Sequence, residues 1–233
     1  MQMKNIFSDY GLTLSCEQQK QFEVFTEMLI EKNKVMNLTA ITEPDEIIIK
    51  HYLDSALPAA TDYLKEKLSV IDVGCGAGFP SIPLKIMLPQ LDFTLLDSLN
   101  KRLNFINEVI SELGLENIRT VHSRAEDGGQ DKKFREKFDV CVARAVAPLN
   151  VLCELCTPFV KKGGIFIAMK GKDGENEIAA AEKALKILNL EICEVIHKNL
   201  PNGDDRNIII IRKKSQTPPQ YPRKAPKPSK SPL

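Results

Sequence analysis

A chain of 233 residues with 43% hydrophobic side chains holds enough apolar material for one sizeable core, and no run of about 18 apolar residues, the length a membrane span needs, occurs in it. The formal net charge of +1 hides an asymmetry: seven of the 32 Lys/Arg and none of the 31 Asp/Glu lie between Arg212 and Leu233, which leaves the rest of the chain net acidic by six. Six cysteines in a chain this long exclude a disulfide framework, and the absence of a basic-then-apolar leader predicts a cytoplasmic chain with reduced thiols.

The first sixty residues read as helical. Ser15 and Gln18 form a capping box ahead of Phe22, Phe25 and Leu29 on one face. Asn37 then stands either as a helix C-cap or as a substrate contact. A second start falls at Thr42 to Asp45, with Pro44 in the first turn, and leads into a run that carries His51 and Asp54 three residues apart. At that spacing the two share a face and are expected to pair.

From Ser69 the period changes. "SVIDV" (69–73) is a compact strand, followed by a helix over 79–88 and a strand over 92–97. Leu103, Ile106, Ile110 and Leu113 stripe a helix, and strands follow at 118–123, 138–143 and 164–170. Ile178, Ala181, Leu185 and Leu188 stripe one more helix. "LEICEVIHK" and "NIIIIRK" close the pattern as an antiparallel pair, with a turn at Pro201–Gly203. This alternation predicts an α/β fold with a seven-stranded, mostly parallel sheet. The expected division is a helical cap (1–62), a catalytic domain (63–213) and a basic tail (214–233). The tail holds six of the fourteen prolines, so it is expected to be extended and mobile, serving either as a solubilising segment or as an arm for polyanions. Cys153 and Cys156 form a CxxC with no second pair or spaced His, so no metal is expected.

The loop after the first strand, "VGCGAGFP", is the most informative stretch. Its glycines allow positive φ and close approach of a ligand, at the strand ends where such sheets bind ligands. It lacks the Lys-Ser/Thr of a nucleotide P-loop, and its third glycine falls one residue too early for a dinucleotide fingerprint. Asp72, Gly74, Gly76 and Gly78 resemble instead the D/E-x-G-x-G-x-G motif of class I S-adenosylmethionine-dependent methyltransferases, a Rossmann-like fold. Asp97, about twenty residues on, is placed to accept ribose hydroxyls, and Ala125-Glu126 to read an adenine edge.

"NLTAI", "HYLDS", "DVGCGAGFP", "RAE", "ARAVAPL", "MKG" and "YPRKAPKPSKSPL" together resemble the RsmG/GidB family of bacterial 16S rRNA methyltransferases, essentially from residue 15 to the C-terminus. The resemblance implies methylation of N7 of one guanine (position 527) of 16S rRNA, with S-adenosyl-L-methionine as cofactor. The partner it implies is the small ribosomal subunit or its assembly intermediate, met by a monomer. It maps Gly74, Phe79, Ala125, Glu126 and Arg144 onto cofactor-binding positions. Cys75 and Ser81 depart from the Ser and Gly common there.

The residues suit that chemistry. Guanine N7 carries an in-plane lone pair, so its attack on a sulfonium methyl requires alignment rather than a general base. Exocyclic-amine transfer would need a [DN]PP[YF] motif where Ala143-Arg144-Ala145-Val146 stands. Carbon-5 transfer would need a cysteine nucleophile, typically in a Pro-Cys or Thr-Cys loop, whereas Cys141 lies in a strand pattern. Arg144 is the expected positioning group, toward cofactor, base or phosphate. Its structural alternative is a salt bridge to an acid such as Asp72. Lys170, Arg206, Arg212, Lys213, Arg223 and Lys224 are the expected RNA contacts. Two other functions remain: a methyltransferase for another RNA site, and a non-catalytic RNA-binding or ribosome assembly factor on the same fold.

Overall fold

The computed structural model describes residues 3–65 and 67–233. Two helices open it, α1 (Met3–Ser8) and α2 (Cys16–Met36). The Ser15 hydroxyl accepts from Gln18 N–H and the Gln18 side chain accepts from Ser15 N–H, so the capping box forms as read. Helix α2 ends at Asn37, whose left-handed φ of 49° makes it the C-cap. Short α3 (Pro44–Ile47) runs without a break into a π-helical turn (Ile48–Leu53) and then α4 (Asp54–Ala56). The sequence pattern showed one plain helix here. The widened turn is absent from any propensity and belongs with functional sites more often than not.

The strands are β1 (Ser69–Val73), β2 (Asp92–Asp97), β3 (Ile118–His122), β4 (Phe138–Arg144), β5 (Val160–Lys170), β6 (Leu190–Asn199) and β7 (Asp205–Lys213). Between them lie α5 (Ser81–Met87), α6 (Asn100–Glu112), α7 (Ala125–Gly128), α8 (Leu149–Cys156), α9 (Gly174–Ala180) and α10 (Glu182–Ile187), with α11 (Lys227–Lys230) near the end. The helix expected over the Ile178–Leu188 stripe is two short ones, broken where Ala181 packs into the core. The sheet order is β3-β2-β1-β4-β5-β7-β6. All neighbours are parallel except those of β7, which is antiparallel to β5 and β6. Strand order therefore reverses between β1 and β4, and a crevice opens beyond their carboxyl ends.

The sheet is buried on both faces. One face shares a continuous apolar core with the N-terminal helices, through Phe22, Phe25, Leu29, Tyr52 and Leu53. The other packs α8 and α10 through Leu152, Cys153, Cys156 and Ala184. Cys153 and Cys156 are thus packing residues, and burial pushes the Cys153 thiol above its ordinary value.

Gly78 is where β1 must turn tightly into α5. Its φ is +97°, and a Cβ there would lie 2.6 Å from Ile82 Cγ1. Gly78→Ala adds left-handed strain to an overpacked contact, together about 3 kcal/mol. For a chain of this size the thermal midpoint is expected to fall by about 6–12 °C, as a calorimetric scan would show.

Candidate active site

Strands β1, β2 and β4 deliver their last residues, Val73, Asp97 and Arg144, to one pocket of about 450 Å³. Its floor is the glycine loop. The N–H groups of Gly74 and Cys75 donate to Leu96 O at 2.8 and 3.2 Å, which ties the loop to β2. Gly74 has φ +80°, and a Cβ on it would meet Val146 Cγ2 at 2.8 Å. Only a bare main chain lets the β4 rim close over the loop here. Gly76 donates its N–H to Asp97 Oδ2 at 2.9 Å, and Leu99 N–H donates to Asp97 Oδ1 at 2.8 Å. Asp97 is 3% exposed, held at the pocket wall with lone pairs to spare, and Arg102 Nη1 stands 3.7 Å away. Ala125 and Glu126, in the first turn of α7, line the pocket beyond the end of β3, the strand next to β2.

Two members of the expected cofactor set do not reach the pocket. Asp72 is fully buried beneath the loop, where its Oδ2 accepts from Ser81 Oγ at 2.6 Å and its Oδ1 has no hydrogen-bond partner. Gly78 packs against Ile82. Both shape the loop from below: the side chain of Asp72, fourth in β1, stands on the sheet face that α5 covers rather than at the strand end, and Gly78 lies where the loop enters α5. Burial pushes the Asp72 carboxyl up to about 7. The folded state then binds more protons than the unfolded one between about pH 4 and 7, so this group lowers stability as pH rises through that window. Asp72→Asn is expected to lose that slope, with its stability relative to wild type greatest above pH 7 in urea titrations across pH 5–8.

Arg144, the last residue of β4, does not pair with Asp72. Its Nη1 donates to Asp54 Oδ2 at 2.8 Å and to Lys50 O, in the π-helical turn, at 3.1 Å. Its Nη2 lies 3.3 Å from His51 Nδ1, and its guanidinium carbon is 5.2 Å from the Phe79 ring centre. Arginine has no acceptor, so Nδ1 must accept and Nε2 carries the proton, donating to Thr39 Oγ1 at 2.7 Å. Burial and the neighbouring Arg144 charge push His51 down to about 4, in keeping with this neutral tautomer. The imidazole stacks on Phe79 with ring centres 4.5 Å apart. His51 and Asp54 therefore do not pair with each other. Arg144 bridges them, and Arg206 Nε reaches the other oxygen of Asp54 at 3.1 Å.

The expected RNA contacts scatter. Lys213 is 1% exposed and donates to Glu136 Oε1 and to the carbonyls of Thr157 and Val160, so it is a buried structural cation. Arg223 forks onto buried Glu154. Arg212 is exposed but stands opposite Ile165, at the end of β5 far from the pocket. Lys170 donates to Ala147 O and Glu177 beside the β4 rim. Lys224 is exposed on the tail. The tail itself is folded onto the body rather than extended and mobile: its prolines and backbone carbonyls meet fixed partners that its composition does not disclose.

Sequence reasoning missed other pocket residues. Ser98, Ser123 and Arg124 lie just past strand ends, so the topological rule would have found them. Thr39 and Val146 also line the pocket, inside the quoted segments NLTAI and ARAVAPL but not singled out there, and Leu155 lines it with no local signal to mark it.

With this geometry in hand, similarity to known proteins is decisive. The family model described as GidB, rRNA small subunit methyltransferase G, matches residues 18–209. The chain belongs to the GidB family. Over 229 residues it is 50% identical to the ribosomal RNA small subunit methyltransferase G of Streptococcus agalactiae, covering 98% of this chain and 97% of that protein. It is 53% identical to the protein of that name from Acetivibrio thermocellus, over 97% of this chain and 93% of the relative. Among solved structures, a SAM-dependent methyltransferase from Aquifex aeolicus superposes with a TM-score of 0.55 at 16% identity, over 78% of this chain and 97% of the other. A predicted O-methyltransferase from Agrobacterium tumefaciens gives 0.55 at 18% identity, over 70% and 81%. These structures carry the fold, a class I methyltransferase sheet, and the family match carries the methyltransferase assignment.

Proposed function

We propose that this protein transfers the methyl group of S-adenosylmethionine to N7 of a guanine in 16S rRNA, the position numbered 527. The observation that carries the reading is a pocket that combines a glycine floor, a buried Asp97 and a fixed Arg144, with no imidazole or thiol among its described lining residues free to act as base or nucleophile. His51 has both nitrogens engaged, and burial holds the Cys75 thiol well above its ordinary value. N7 needs no proton removed, so a site of this kind suits it, while an amine or carbon acceptor would call for a group the pocket lacks.

The residues fit an adenosine-bearing donor. Asp97 is the acceptor for ribose hydroxyls, the first turn of α7 offers main chain and Glu126 to a purine edge, and Val73, Leu96 and Phe79 provide apolar walls. The donor, when bound, supplies an electrophilic methyl carbon on a sulfonium. The chain's own part is to exclude water and hold the acceptor base: Asp54, His51 and the Lys50 carbonyl lock the guanidinium of Arg144, so its charge is in place before the base arrives. The proposed substrate is 16S rRNA in the small subunit or an assembly intermediate, met by a cytoplasmic monomer. No described helix is long and apolar enough to cross a membrane.

The test uses isotopically labelled S-adenosylmethionine and small-subunit RNA from cells lacking this enzyme. Label is expected on N7 of a single guanine. Label on an exocyclic amine, a carbon or a ribose, or no incorporation, would overturn the assignment.

A further inference from the structure

The C-terminal tail has the composition of an RNA arm, yet its anchors converge on one wall of the pocket. Arg135 Nη1 donates to Gly129 O and to Tyr221 O, both at 2.8 Å, and its Nη2 donates to Thr217 O at 2.9 Å. Gly129 is the C-cap of α7, whose first turn carries Ala125 and Glu126. Gln130 Nε2 donates to Pro222 O at 3.0 Å, and the backbone of Gly129 meets the Pro222 ring so closely that a Cβ would lie 2.8 Å from its Cγ. A second anchor sits on α8. Glu154 is fully buried; its Oε1 accepts from Arg223 N–H and Nε at 2.8 Å, and its Oε2 from Nη2 at 2.6 Å. Its neighbour Leu155 lines the pocket.

From this geometry we infer that the tail is a clamp that positions the adenosine-side wall of the pocket, with Arg135, Glu154 and Arg223 as its positioning residues. The argument is mechanical. Helix α7 is only four residues long, too short to hold itself together. Its C-terminal end is fixed by Arg135 and Pro222, so moving the tail moves the turn that carries Ala125 and Glu126. Glu154 is a buried charge, and Arg223 is its only side-chain partner among the described residues. Removing Arg223 leaves that charge uncompensated and drives α8 to rearrange. The basic, proline-rich composition has a local explanation: prolines give a stiff strap, and its single arginine, Arg223, is consumed inside the protein.

The inference rests on reading the pocket as the S-adenosylmethionine site, so the test has two readouts. Titration calorimetry on Arg223→Met in the full chain is expected to show the Kd for S-adenosylmethionine raised about tenfold, the lower end of what is lost when partners that orient a binding group are removed. Hydrogen exchange over residues 123–131 is expected to quicken without any ligand present. Arg223→Lys keeps the charge without the fork and is expected to shift both readouts less, in the same direction. It also serves if the methionine variant does not fold. Lys227→Ala with Lys230→Ala removes exposed tail charge and is expected to change neither. A folded Arg223 variant with wild-type Kd and wild-type exchange would overturn the clamp. If the wild-type protein binds no S-adenosylmethionine, the pocket reading fails, and exchange over 123–131 still decides the clamp.

Discussion

Replacing Asp97 by alanine is expected to weaken S-adenosylmethionine binding by about 100-fold or more while leaving RNA affinity within about threefold. The carboxylate has two duties. It accepts the N–H groups of Gly76 and Leu99, so it holds the glycine loop against the start of α6, and in the proposed reading it is also the acceptor for the ribose hydroxyls. Hydrogen bonds to a charged acceptor are worth roughly 1.5–3 kcal/mol each, so losing the ribose contacts alone accounts for a large fall in affinity. The loop loosens in addition. Asp97→Asn is expected to fare little better: an amide has one acceptor oxygen, and its NH2 would face an N–H. Calorimetric titration and a filter-binding assay on the same preparation check this. Parallel losses in the two assays with the fold intact would remove Asp97 from the cofactor site.

Arg144→Lys is expected to lower the rate of methyl transfer at saturating substrates by about 100-fold, the scale at which small misplacements act, with cofactor affinity changed by less than about fivefold. Lysine keeps the charge and can still meet Asp54. It cannot also reach Lys50 O and His51 Nδ1 from one planar group, and it cannot lie flat over Phe79 as the guanidinium does. The charge then wanders instead of standing ready beside the base. Single-turnover kinetics separate this from a binding defect: a normal single-turnover rate with a raised cofactor KM would reassign Arg144 to the cofactor alone. Asp54→Asn is expected to act in the same direction but more weakly, since Lys50 O and His51 still hold Arg144.

The central strands were legible because β1, β2, β4 and β7 each carry a compact apolar run, while β5 begins four residues earlier than expected. β1 and β2 match the residues expected, and the capping box at Ser15 fixed the start of α2 from two side chains. The glycine loop, Asp97 and Ala125-Glu126 were legible for a related reason: in a doubly wound sheet, strand ends are predictable positions, and ligand groups gather there. The π-helical turn at Ile48–Leu53 was not, because it places Lys50 O toward Arg144 for a tertiary reason. Arg144 was singled out, and the salt bridge given as its structural alternative does form, though not with Asp72, the acid named as an example. Asp72 is near in sequence to the loop, yet the acid that meets Arg144 is ninety residues away, on a helix laid across the strand ends.

The largest misreading concerns charge. Lys213 and Arg223 look like the rest of a basic tail, and composition assigns every cation the same solvent-facing role. Whether a cation meets a phosphate or a buried carboxylate depends on what the chain folds it against, here Glu136 and Glu154. The sequence by itself determined the sheet, the glycine loop and the acid that ends β2, since these rest on period and on spacing within one βαβ unit. Only the tertiary structure decided which acid holds Arg144, which cations are consumed inside the protein and what the tail packs against, because pairs that distant in the chain are chosen by packing and by the cost of burying an unpaired charge.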